Sequence, residues 1–259
     1  NRLHHELSFA RYLEHLGSKC FPKIIASGKD QGIAAYEWLD GEPLDSDCEI
    51  ATSQWEQCIE FLTSLQHARK SEIAKRLPSG SESAFSLREH WGVLQRRHDY
   101  WSKRIISEPD SIPGSIREFL TSKLEIEYQK LAEDVIGHPD FDSTLTAEER
   151  ILSPSDFGLH NASLQRDGSL HFFDFEYAGW DDPAKTLADF FAQPRIKAPF
   201  NLFPAMRDRI MEFLPNRSIE NFVNRLPLVI RIINIKWCYI CLNVFHPADR
   251  RRREFADCP

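Results

Sequence analysis

The feature that most constrains this chain is a break in hydrophobic rhythm at its centre. Upstream, Trp55, Cys58, Ile59, Phe61, Leu62 and Leu65 recur at helical spacing, and residues 86–106 and 116–135 carry two more helical stretches. Then short strand-like runs replace them at 150–152, 162–165 and 170–173, the last two flanking the turn residues Arg166-Asp167-Gly168-Ser169. Asp182-Pro183 next reads as an N-cap and first helical residue, opening a helix to about residue 192. Helical pattern returns over 204–245. The N-terminus repeats the alternation on a smaller scale. A helix over 1–17 closes at Gly17, strands at 23–27 and 32–39 flank a turn at 28–32, and Asp40-Gly41-Glu42-Pro43 ends the second strand. The order is helix, hairpin, helices, hairpin, helices, which predicts an α+β protein with a small strand-rich start, 1–44, and a mainly helical body, 45–259.

Composition narrows the class. The chain has 259 residues, 42% of them hydrophobic and 27% charged, which excludes whole-chain disorder. Its net charge is −7, so electrostatic capture of nucleic acid or of an anionic membrane is disfavoured and neither is expected as a partner. Six scattered cysteines do not make a disulfide framework, so a reducing, cytoplasmic setting is expected and Cys238-x-x-Cys241 reads as two core thiols. The apolar run 226–245 holds Arg231, Asn234 and Lys236. Each cation would cost about 2.5–3.5 kcal/mol in a bilayer, so a buried helix is expected there. Arg250 to Arg253 reads as a solvated tail. Residue 1 is Asn and the first methionine is Met206, which predicts a piece of a longer chain.

The chemistry concentrates in 152–190. Pairing Gln165 with Leu170 across the hairpin places Asn161 opposite Asp174, with Cβ atoms about 4.5–5.5 Å apart on one face. An amide oxygen and a carboxylate then sit together at the open end of a ribbon. Five residues before Asn161 lies Asp156, and the turn Phe157-Gly158-Leu159-His160 can return it to the same place. Mg²⁺ takes oxygen ligands, commonly one or two carboxylates plus phosphates and water. A D-x-x-x-x-N followed by a strand-terminal D-F is the layout of kinase sites: one Asp orients an acceptor hydroxyl, while an Asn and a second Asp hold metal against phosphates.

On these residues the chain resembles the aminoglycoside phosphotransferase and choline kinase-like family, which has a protein-kinase-like fold. Residues 152–161 look like its catalytic loop, 172–176 like its metal-binding segment, and Gly179-Trp180-Asp181-Asp182-Pro183 like its Gly-x-Gly-Asp-Pro segment. Glu6 resembles the helix glutamate that pairs with a phosphate-binding lysine, and GIAAYEWLDG (32–41) resembles the strand and hinge that receive adenine. The resemblance implies a partial N-terminal β lobe and a helical C-terminal lobe with its site at 150–183. It implies ATP and Mg²⁺ as cofactors and a small-molecule hydroxyl acceptor. It makes Asp156 the catalytic group and Asn161 and Asp174 the metal ligands, with Glu6, Glu37, Trp38 and Leu39 holding nucleotide.

The chain departs from that pattern. Pro154 stands where the family has a His, Thr186 where it often has an Asp, and no Gly-rich loop or lysine strand precedes Glu6, whose lysine would lie outside this chain. These departures support an alternative, a degenerate kinase fold that binds nucleotide or a partner without transfer. Asp181 has no capping duty and is a candidate neighbour of metal or acceptor; Asp182 reads as a helix cap and His160 as a structural hydrogen-bond former.

Overall fold

In the computed structural model, which describes residues 2–28, 31–108 and 111–245, α1 (Arg2–His15) buries Leu7, Phe9, Ala10, Tyr12 and Leu13. Gly17, at φ 68°, follows its end. An antiparallel pair follows, β1 (Ile24–Gly28) and β2 (Ile33–Tyr36). β3 (Glu42–Pro43) comes where the sequence predicts only a strand ending. Gly41 permits it, because a Cβ there would stand 2.7 Å from the Leu164 carbonyl oxygen of the strand that β3 joins. The helices α2 (Thr52–His67) and α3 (Glu72–Lys75) are next.

The chain continues through α4 (Leu87–Ser107), α5 (Gly114–Glu118), a π-helical segment (Phe119–Leu124) and α6 (Glu125–Ile136). Ser86 caps α4 by accepting from Glu89 N at 3.1 Å. The central strands are β4 (Ile151–Ser153), β5 (Ala162–Leu164), β6 (Leu170–Phe172) and β7 (Gly179–Asp181). β4 pairs with β7, while β3, β5 and β6 form a separate three-stranded sheet. Asp182 caps α7 (Pro183–Ala192) as expected, accepting from Ala184 N at 2.8 Å. α8 (Phe203–Met211) and α9 (Asn216–Cys241) divide the stretch expected to be continuous helix. Pro215 lies between them, and a proline disfavours helix in the residue before it.

These elements form two compact units, Asn1–Phe85 with Leu145–Asn224, and Ser86–Thr144 with Arg225–Pro259. They cut the chain differently from the 1–44 and 45–259 lobes expected from sequence. The reason is packing: the Tyr12 hydroxyl donates to the Leu65 carbonyl at 2.6 Å, and the Phe9 ring lies 5.2 Å from Phe175. The core of the first unit is aromatic. Phe61 of α2 stacks on Phe172 at 4.4 Å, on Phe157 at 5.7 Å and on Phe175 at 6.2 Å, and Phe157 also stacks on Phe190. Each such buried ring is worth about 1.5–3 kcal/mol. Gln66 adds strand-like bonding to β4, accepting from Leu152 N at 3.0 Å and donating to Leu152 O at 2.7 Å.

In the second unit His98 stacks on Tyr128 at 3.8 Å and pairs with Glu125 at 2.8 Å. Helix residues 216–245 are long and apolar enough to cross a membrane by length and composition. Within them Arg225 and Lys236 are buried, and Arg231 pairs with Asp134. The C-x-x-C departs from the core-thiol expectation: both cysteines are unpaired thiols, Cys238 half-buried and Cys241 exposed. Arg250 to Arg253, Cys258, Pro109 and the turn residues Lys29 and Asp30 lie outside the described residues.

Candidate active site

The site grows out of the end of β4. Ser155 there has φ 66°, a left-handed conformation rare for a non-glycine residue. Asp156 N donates back across it to Pro154 O at 3.0 Å, the i→i+2 bond of a γ-turn. Ser155 N donates to Ser153 Oγ at 3.0 Å, and Ser155 Oγ donates to Asp181 Oδ2 at 3.3 Å. The chain then reverses through Phe157, anchored in the aromatic core, and a 3₁₀ turn, Leu159–Asn161. This reversal brings the two ends of the D-x-x-x-x-N together, as the sequence predicts. Asn161 Nδ2 donates to Asp156 O at 2.9 Å, and His160 Nε2 lies 3.1 Å from Asp156 Oδ1. His160 Nδ1 is buried without a hydrogen-bond partner, so Nε2 is the ring nitrogen that serves the Asp156 carboxylate. With Nδ2 of Asn161 bonded to the loop, Oδ1 is the atom that could hold a cation.

The hairpin register differs by one residue from the expectation. Leu164 pairs with Leu170 and Ala162 with Phe172, so Asn161 meets Phe173, which donates to it at 3.0 Å, and not Asp174. The cause is Gly168, at φ 84°. Gly168 N bonds Gln165 O and Gln165 N bonds Ser169 O, closing a three-residue loop with its glycine in the left-handed region. A one-residue slip turns a side chain to the opposite face. Asp174 escapes that fate by leaving the strand: its own φ is 62°. The carboxylate is thus aimed by a backbone kink, while Phe175 behind it is buried at 4% exposure.

Three acids share the neighbourhood of Asp174. Its pKa is raised first by the protein packed around it, although part of its surface stays open, then by the charges of Glu176 and Asp156; His160 and Arg2 oppose the rise. Arg2 pairs with Glu176 at 2.9 Å. Glu6, on α1, is likewise raised by burial and by Asp174 and Glu176. The Tyr36 hydroxyl, buried and without a hydrogen bond of regular geometry, lies beside the Glu6 carboxylate and partly offsets that rise. A cleft of about 400 Å³ opens beside Glu6 and Asp174, and neither Asp156 nor Asn161 is among its lining residues. Glu6, Tyr36, Glu37, Leu39 and Asp174 line it. Trp38, at 85% exposure, does not, so of the three hinge residues its side chain is turned to solvent. A larger groove of about 1190 Å³ in the same unit, with Arg69, Lys70, Arg150 and Trp180 among its walls, contains none of the predicted site residues.

The donor chemistry fits a divalent cation. Asn161 Oδ1 and the Asp174 carboxylate are hard oxygens in a field left negative by Glu176, Asp156 and Glu6. Among the described residues no three His, Cys, Asp or Glu side chains form a metal cage of their own. That suits Mg²⁺, which is usually held by one or two carboxylates and completes its shell with phosphate and water.

Comparison with known proteins gives this arrangement a family. The profile described as "APH: Phosphotransferase enzyme family" matches residues 1–214. The chain belongs to the phosphotransferase enzyme family. No curated protein matches it. Among solved structures it is similar to the choline kinase of Cryptosporidium parvum Iowa II, with TM-score 0.53 and 18% identity over 97% of this chain and 78% of that one. It is also similar to a Plasmodium vivax ethanolamine kinase, with TM-score 0.52 and 15% identity over 96% and 68% of the two chains. An ADP-bound aminoglycoside phosphotransferase, APH(2'')-Ib, gives TM-score 0.53 and 12% identity over 98% and 78%. These likenesses establish the protein-kinase-like fold.

Within this phosphotransferase-family chain, the sequence reading missed the support beneath the loop. Asp181 does not face metal or acceptor. It is fully buried, bonded to Lys185 Nζ at 2.6 Å and to Asp182 N at 2.9 Å. Lys185 also pairs with Asp189 at 3.2 Å. Burial alone would lower the Lys185 pKa, but the two carboxylates outweigh it and raise it, so the ammonium stays charged. The signal was in the sequence: Lys185 and Asp189 are spaced i, i+4 on α7, and Asp181 lies four residues before Lys185, just ahead of the helix cap.

Proposed function

We propose that this protein is an ATP-dependent phosphotransferase that moves the γ-phosphoryl group to a hydroxyl of a small-molecule acceptor in the cytoplasm. What supports the reading is the closed Asp156–Asn161 loop with Asp174 within electrostatic reach of Asp156. The Asn161 amide is bonded to the Asp156 backbone, and the Asp156 and Asp174 charges feel one another. Asp156 orients the acceptor hydroxyl and takes its proton, with His160 fixing the carboxylate. Asn161 Oδ1 and Asp174 hold Mg²⁺, which when bound compensates the charge spread over the phosphates. The backbone of Glu37, Trp38 and Leu39 holds adenine at the mouth of the cleft, and Glu6 faces the phosphate end. Neither nucleic acid nor membrane belongs to this reading.

The alternative is a nucleotide-binding protein without transfer, which draws its support from Pro154 at the place where the resembled family has a histidine. Calorimetry of ATP binding with and without Mg²⁺, followed by ADP release over a panel of hydroxyl-bearing metabolites, tests both. Mg²⁺-dependent binding with acceptor-dependent ADP release is the expected result. Binding without release selects the alternative, and no binding ends both.

A further inference from the structure

Ser155 stands before Asp156 in a strained conformation: a non-glycine residue in the left-handed region persists only where its surroundings over-determine it. Here three bonds do so. Its N–H is bound by Ser153 Oγ, the next N–H closes the turn onto Pro154 O, and its hydroxyl is bound by Asp181 Oδ2. Asp181 is itself fully buried, with 0% exposure, and holds a hydrogen-bonded Lys185 at 3%. A buried ion pair rarely repays its desolvation in stability alone. A packed backbone closes the place from water. A Cβ on Gly80 would come 2.9 Å from Ser155 Oγ, and Gly80 N is bound to Trp180 O at 2.9 Å.

We propose that Ser155, Asp181 and Lys185 are positioning residues for Asp156. The buried Asp181 carboxylate, neutralised by Lys185, grips the Ser155 hydroxyl and so holds the strained turn that presents Asp156. None of the three touches substrate. The device occupies positions where the chain departs from the pattern it resembles, since Asp181 stands at the second glycine of Gly-x-Gly-Asp-Pro and Pro154 at the histidine. The inference rests on reading Asp156 as the acceptor-side carboxylate, and its test carries a readout that does not.

Ser155→Ala removes the hydroxyl and leaves the backbone, Asp181 and Lys185 in place. The readouts are Tm, amide hydrogen exchange at Asp156, Mg²⁺-ATP affinity, and kcat and KM for ADP release. The expected result is an unchanged nucleotide affinity and a Tm lowered by no more than the loss of one hydrogen bond, with Asp156 amide exchange faster by about tenfold, the worth of one hydrogen bond to a charged group, and exchange elsewhere in the unit little moved. If the wild-type protein transfers phosphate, kcat falls by about the same factor with KM for ATP unmoved. Asp156 exchange as slow as in the wild type overturns the proposal. So does a fall in Tm with exchange accelerated throughout the unit, which would make the bond a general fold contact. A wild-type protein that transfers nothing defeats the proposed function, while the exchange result still decides the role of Ser155.

Discussion

Ser155 and Asp174 are the two non-glycine residues with left-handed backbone among those described, and they are held in opposite ways. Ser155 is buried and saturated: its amide and its hydroxyl both have partners, and a buried carboxylate lies behind it. Asp174 is open on one side, and the charges that raise its pKa are the acids Glu176 and Asp156. One kink is held by bonds inside the protein; at the other, two neighbouring acids raise the carboxyl's pKa and Arg2 and His160 offset them only in part. The contrast separates scaffold from site. A strained residue whose every bond is internal serves its neighbour. In the proposed function, the strained residue beside like charges is the one that meets a ligand.

Substitutions can break this contrast, beginning with the residue that lies between its two halves. Asp156→Ala is expected to reduce phosphoryl transfer by about 10²–10⁴-fold, the usual worth of a positioned proton acceptor, while Mg²⁺-ATP affinity by calorimetry is retained. Transfer at the wild-type rate would remove Asp156 from the chemistry. Asp174→Asn comes next, because asparagine tolerates the left-handed backbone while losing the charge. Mg²⁺-dependent ATP affinity should fall roughly tenfold or more, and metal-free Tm should rise, since a repelled anion has been removed. Function and stability moving in opposite directions is the signature. A fall in both would mean that Asp174 is a structural residue. Gly80→Ala attacks the other side, placing a methyl against the Ser155 hydroxyl and 3.0 Å from Tyr177 O. Overpacking of this kind costs about 1–3 kcal/mol, measurable by urea denaturation, and unaltered stability would show that the loop yields freely.

The alternation of helix and ribbon was legible because its signals are local. Asp182-Pro183 opens α7 as expected, and the D-x-x-x-x-N closes on itself because Phe157 and Leu159 are apolar enough to be buried and turn the chain. Glu6, Glu37 and Leu39 come to one cleft with Asp174, although they are far apart in sequence. What failed was geometry set by single backbone angles. Counting residues across Arg166-Asp167-Gly168-Ser169 cannot say whether Gly168 adopts a left-handed turn, and that choice shifted the register by one. Asp174 then leaves the strand through its own left-handed backbone, a step the register argument did not contain. β3 was missed because two residues have no periodicity to read. Asp181 was misplaced because, in a motif-like string, an acid reads as functional before its i+4 lysine is noticed.

The smallest expected effect separates the two kinks by pH alone. Asp174 and Glu6 both have raised pKa values in the folded protein, chiefly through burial and then through neighbouring acids. For a carboxyl whose folded pKa lies above its unfolded one, the folded state binds the proton more tightly. The stability this contributes is complete below the ordinary carboxylate range and is lost as pH rises through the raised values. Metal-free protein should therefore show a modest decline in Tm as pH climbs from the usual carboxylate range, on top of the gains from its other acids. Asp174→Asn should flatten part of that decline. Mg²⁺ with nucleotide should counter it in the wild type, because a ligand that binds the ionised site stabilises in proportion to the logarithm of its saturation. Ser155→Ala should leave this component of the profile where it is, since the hydroxyl it removes does not titrate. Equal displacement of the profile by both substitutions would mean that the scaffold and the charged site are one coupled network.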